Sequence, residues 1–184
     1  MFDLASGSVR LTAGEPQVLV SASIVGSLVA SAPNAREMGR LIGADLAGRA
    51  RIRRAMTGGG ASEETMRSLT LGDVVDLLGG ELAILGLGNL RSERWGSALL
   101  FVLDPCPLDT RADGFLAGII ESAVASAGVR DLRAAVLDHE DRTVRMLICN
   151  EVAMKRAEAL RAEGLPFTSI VSRLQGLTSE GGGR

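Results

Sequence analysis

Aromatic residues are scarce in this 184-residue chain: they make up 3% of it, as four Phe, one Trp and no Tyr. A single histidine, His139, excludes a multi-histidine metal centre within one chain, and no metal site or cofactor is expected. Two cysteines, Cys106 and Cys149, stand far apart without C-x-x-C spacing. They are too few for a disulfide framework and point to a reducing, cytoplasmic location. Lysine is nearly missing, with Lys155 the only one among 20 basic residues. Those 20 face 22 Asp and Glu for a formal charge of −2, which excludes a broadly basic nucleic-acid binder. The stretch Val18 to Ala32 carries no charge, but it is too short and too serine-rich to span a membrane. It ends in an A-x-A-like pattern, yet the residues before it are net negative and lack the basic start of a secretory signal.

What is present is aliphatic. Hydrophobic residues make up 46% of the chain and glycine contributes 23 residues, in a length that suits one domain. Residues 1–20 read as a lead-in with an extended piece at Gln17 to Val20. Residues 21–163 read as the domain, and 164–184 as a partly disordered C-terminal extension. Ser21 or Ser23 starts a helix that must stop near Pro33. Asn34 caps a longer one from Ala35 to about Met56, whose predicted apolar side is Met38, Leu41, Ile42, Leu46 and Ile52. Gly39, Gly43 and Ala47 recur every four residues and form a smooth stripe. Such a stripe lets another backbone approach closely, from the same chain or from a second subunit. Together with Trp95, these three are the expected contacts of a homodimer or a partner protein; Trp95 could equally fold over the sheet.

The cations Arg49, Arg51, Arg53 and Arg54 complement the negative end of that helix, as a solvated face. After Thr57 to Gly60, a helix stop and linker, Ser62 to Thr65 reopens a helix, and Leu71, Val74, Val75 and Leu78 share one face up to Gly79-Gly80. Leu82 to Leu90 then reads as a strand. Ser97 to Leu103 is a second strand, apolar on both faces and therefore central. Asp113 caps a helix over Gly114 to Ala127, and two alternating strands follow around a turn at His139 to Arg142. A charged helix runs from Asn150 to about Glu163, and a short amphipathic piece begins at Pro166. The expected fold is α+β: an antiparallel four-stranded sheet, two hairpins separated by a helix, packed against several helices.

No catalytic constellation emerges. His139 falls among Asp138, Glu140 and Asp141, a solvated turn composition, and no G-x-S-x-G supplies a nucleophile. Gly86 to Gly88 lacks the third glycine of a dinucleotide fingerprint, so a bulge or a close backbone approach is expected. Cys106, between two prolines, is the better candidate for a reactive thiol. Its acidic neighbours Asp104 and Asp109 nevertheless oppose activation. Cys149 reads as a small core residue.

The stretch from Gly39 to Cys149 resembles the 4-vinyl-reductase-type (hydrocarbon-binding) domain family, related in fold to the small subunits of the TRAPP vesicle-tethering complex. The passages that carry it are MGRLIGADLAGRARI, GELAILGLGNLRSERWG followed by SALLFVLDPCP, GFLAGIIESAVASAG, and the hairpin ending at Cys149. A departure is the absence of the paired cysteines many members carry across the last hairpin, around Ala135 and Thr143 here. The resemblance implies a site for a small apolar ligand between helices and sheet, lined by Phe101, Phe115 and Ile119. Its vinyl-reduction chemistry finds no nicotinamide or flavin motif. The expected function is a non-catalytic homodimeric binding or scaffold module, with an apolar-ligand sensor or carrier as the alternative.

Overall fold

A computed structural model describes residues 2–3, 8–9, 20–56, 69–128 and 131–176. Near the start, β1 (Phe2–Asp3) and β2 (Ser8–Val9) pair antiparallel. Then come helices α1 (Ala22–Ser31), α2 (Ala35–Met56) and α3 (Leu71–Ile84), and the hairpin β3 (Asn89–Trp95) and β4 (Ala98–Asp104). A 3-10 turn (Thr110–Ala112) leads into α4 (Asp113–Ser126), the hairpin β5 (Arg133–Glu140) and β6 (Thr143–Cys149), and finally α5 (Glu151–Ala162) and α6 (Phe167–Leu174). The two hairpins form one antiparallel sheet of order β3-β4-β6-β5, with the expected α+β architecture.

Strand alternation divides the core in two, because successive side chains point to opposite faces. Phe101, Leu103, Ala134, Val136, Val144 and Met146 pack against α2, α3 and α4. Leu100, Ala135, Leu137 and Leu147 meet Met154, Ala157 and Leu160 of α5 and Ile170 and Val171 of α6. The central β4 is covered on both sides, as its unbroken apolar run requires. Because α6 seals the second face, residues 167–174 are part of the folded body rather than an extension; residues 177–184 lie outside the described residues. So do Gln17 to Leu19, the linker at Thr57 to Gly60 and the helix start at Ser62 to Thr65.

The glycine stripe is used within the chain. A Cβ on Gly39 would overlap the Phe115 carbonyl oxygen, one on Gly43 the Ile119 carbonyl oxygen, and one on Gly118 of α4 the Arg36 carbonyl oxygen. Helices α2 and α4 therefore touch backbone to backbone, with Ala47 buried in line. This corrects the expectation that Gly39, Gly43 and Ala47 contact a second copy: their surface is already occupied. The same packing rotates α2 away from its predicted apolar side. Leu46 is buried, but Leu41 and Ile42 are exposed, because the close approach selects the glycine face for the core.

A second correction concerns Leu82 to Leu90. The helix α3 continues through Gly79-Gly80 to Ile84, and β3 begins only at Asn89. Thr70 fixes the start of α3 with a capping box: its Oγ1 accepts from the Asp73 N–H at 3.2 Å, and Asp73 Oδ2 accepts from the Thr70 N–H at 2.9 Å. Gly79 stays helical because it packs on β3, where an added Cβ would come within 3.3 Å of the Leu90 carbonyl oxygen. The chain reverses instead at Gly86 and Gly88, both at positive φ. Gly88 also backs onto Pro105, whose carbonyl oxygen would lie 2.8 Å from a Cβ there.

Candidate functional site

A cavity of about 720 Å³ opens where α1, the loop after β4 and the β5–β6 turn converge. Its α1 wall is small and hydroxylated: Ala22, Ser23, Gly26 and Ser27. The loop contributes the run Cys106 to Arg111, and the hairpin contributes His139 and Arg142.

His139 does not stand in a turn, which corrects the expectation from its acidic neighbours. It belongs to β5, paired with Val144, and its side chain is 4% exposed. The hairpin closes through only Asp141 and Arg142, at φ 47° and 69°. A two-residue loop of this twist needs both central residues at positive φ, so β5 extends past His139 to Glu140. The ring is held at both nitrogens: Nδ1 lies 2.6 Å from Asp113 Oδ1, and Nε2 lies 3.1 Å from the Leu108 carbonyl oxygen. Asp113 is not the cap of α4 but its first residue, and its other oxygen accepts from Arg161 at 2.7 Å. Neither ring nitrogen is left for a substrate proton, so His139 acts as a tie between β5, α4 and α5.

Cys106 is fully buried rather than presented on a loop. Burial pushes its thiol up, the Asp113 charge adds to this, and the Leu108 N–H and the Arg142 cation only partly oppose it. The Cys149 thiol is pushed up to about 11, by burial first and then by Glu121 and Glu158. Both thiols are protonated at neutral pH and are poor nucleophiles.

The remaining residues singled out from the sequence lie elsewhere. Phe101, Phe115 and Ile119 are buried in the core between sheet and helices, and none of them lines the cavity. Trp95 ends β3 and packs edge-on against Phe167 of α6, with ring centroids 5.2 Å apart. Its Nε1 donates to Glu93 Oε2 at 3.2 Å, and its carbonyl oxygen accepts from the Gln175 side-chain amide. Arg145 stacks on the same Phe167 ring at 4.9 Å, forming an aromatic–cation cluster in which Trp95 remains 38% exposed. Of the arginines ending α2, Arg49 pairs with Asp45 at 2.5 Å and Arg51 donates to the Ser126 carbonyl oxygen at 3.3 Å.

Sequence reasoning missed one constellation altogether. Glu121, buried on α4, accepts from Arg36 Nη2 at 2.6 Å, Arg40 Nη2 at 3.0 Å and the Ala134 N–H at 3.0 Å. Arg36 also donates to the Ala134 carbonyl oxygen at 2.8 Å and to Glu158 at 3.1 Å. Burial pushes the Glu121 carboxyl up, but the hydrogen bonds from Arg36, Ala134 and Arg40 outweigh it and hold the carboxyl below its ordinary value. The available signal was a lone carboxylate within the apolar stripe of α4. All its partners are structural groups of the same chain.

Among the described residues, no three His, Cys, Asp or Glu side chains converge to hold a metal ion, and no helix is long and apolar enough to cross a membrane. No protein-family model and no curated protein matches this chain.

Proposed function

We propose that this protein is a non-catalytic binding module that works as a homodimer, joined through the outer face of α1. The observation that carries this reading is an exposed apolar strip at four-residue spacing. On α1, Ile24 is 53% exposed and Leu28 62%, and Val20, just before the helix, is 47% exposed; α1 carries no charged residue. A contiguous apolar strip of this kind marks an interaction surface. A second copy suits it because an uncharged strip is self-complementary across a two-fold axis.

The locked His139 and the two protonated thiols favour binding over catalysis. Free cysteines favour a reducing cytoplasm. The resemblance to 4-vinyl-reductase-type domains supports the same reading, through its element order from Gly39 to Cys149. The test is solution mass by light scattering over a wide concentration range, for wild type and for an Ile24→Asp/Leu28→Asp variant. A dimer that becomes a folded monomer in the variant is the expected result; a monomeric wild type overturns the reading.

A further inference from the structure

We infer that the cavity beside α1 binds a small organic anion, with a carboxylate or phosphate group on Arg142 and an apolar body along Ala22, Gly26 and Leu108. The volume of about 720 Å³ falls within the range of small-molecule sites. The charge in it is unevenly spent. Arg111 is committed to Asp109, with Nη2 2.7 Å and Nε 3.1 Å from its carboxylate oxygens, so those two charges cancel. Among the described residues Arg142 has no carboxylate partner. Among the described residues its guanidinium makes one long hydrogen bond, Nε to the Cys106 carbonyl oxygen at 3.4 Å, and its two terminal nitrogens have no partner.

Its backbone is nevertheless fixed, because the Arg142 carbonyl oxygen accepts from the Cys106 N–H at 2.6 Å. Arg142 also holds a positive φ of 69°, in a turn position that glycine or asparagine fills with less strain. The exposed Arg142 thus lines the cavity, and its terminal nitrogens have no protein partner among the described residues. A guanidinium can hold a carboxylate or phosphate through two parallel N–H donors. Below it the wall turns apolar: Gly26 leaves open space, where a Cβ would meet only Leu108 Cδ2 at 3.9 Å. This inference is independent of the dimer, which uses Ile24 and Leu28 on a different face of α1 and Val20 just before the helix.

The experiment is an amide-resolved NMR titration of the full chain with octanoate, octyl phosphate, octanol and inorganic phosphate. Expected are saturable shifts around Gly26 and Leu108 with octanoate or octyl phosphate, and none with octanol or inorganic phosphate at matched concentration. The tighter of the two amphiphiles assigns the head group. Arg142→Gly, which relieves the turn, should keep the fold and lose affinity about tenfold. Gly26→Val should block binding with Arg142 intact. Absence of saturable shifts in wild type, or octanol binding as well as octanoate, overturns the inference. So does unchanged affinity in Arg142→Gly, or inorganic phosphate binding as tightly as octyl phosphate.

Discussion

Arg36 Nη2 and Glu121 Oε1 lie 2.6 Å apart across the α2–α4 contact, beside the glycines that bring the two helices together. The pair also reaches β5, because both side chains bond to the backbone of Ala134. Replacing Glu121 by Gln should therefore destabilise the protein by about 2–4 kcal/mol. That is somewhat less than breaking a fully buried pair, because Arg36 and Arg40 keep partial contact with water. Urea unfolding of wild type and Glu121→Gln measures the difference.

The same carboxylate sets a pH dependence. Its folded value lies below the ordinary 4.5, so the unfolded chain binds the proton more readily. The stabilisation is complete above the unfolded value and is lost as pH falls through the lower folded value. Urea midpoints at stepped pH should show the gap between wild type and Glu121→Gln at full size near neutrality and closing below about pH 4. A gap that stays constant into strong acid would contradict this assignment.

Helix α2 contains an internal control for the close packing. Gly39→Ala gains about 1 kcal/mol of helix propensity but drives a methyl into the Phe115 carbonyl oxygen, and the net effect should be a loss of about 1–3 kcal/mol. Gly48→Ala meets no atom within 4 Å and should stabilise by up to about 1 kcal/mol. Opposite signs in thermal or urea unfolding are the expected result.

Thiol chemistry should be silent in the native state. Cys106 is fully buried and the Cys149 thiol is pushed up to about 11, so neither should react appreciably with an aromatic disulfide reagent at pH 7. Both should titrate once urea unfolds the chain. Rapid native labelling at Cys106 would show that the loop after β4 opens.

His139→Ala should cost about 1–3 kcal/mol, because it strips one partner each from Asp113 and the Leu108 carbonyl oxygen. Hydrogen exchange should rise in the loop around Leu108 and at the start of α4, the segments His139 ties to β5.

Much of the fold was readable where a local rule and the tertiary fold agree. Ala35 to about Met56 reads as one helix from its spacing, and Ser97 to Leu103 reads as a central strand from its two apolar faces; the structure has the helix at Ala35–Met56 and the strand at Ala98–Asp104. The failures occur where partners override local preference. Gly79-Gly80 looks like a helix stop but stays helical, because the chain must come close to Leu90. Leu41 and Ile42 look like core but point outward, because the glycines beside them make the tighter contact. The cavity was not legible at all: Gly26, Cys106, His139 and Arg142 come from separate segments and share no spacing.

The sequence by itself determined most element types, Leu82 to Ile84 being an exception, and the aliphatic, glycine-smoothed character of the core. Few aromatics and a strong alternation of apolar residues leave helices and strands with one economical way to pack. Tertiary structure alone decided which surfaces remained unused. Whether a glycine face meets its own chain or another copy depends on long-range packing, as does whether a histidine lies in a turn or in a strand with its ring hydrogen-bonded at both nitrogens. Those contacts join residues distant in sequence, and local periodicity does not encode them.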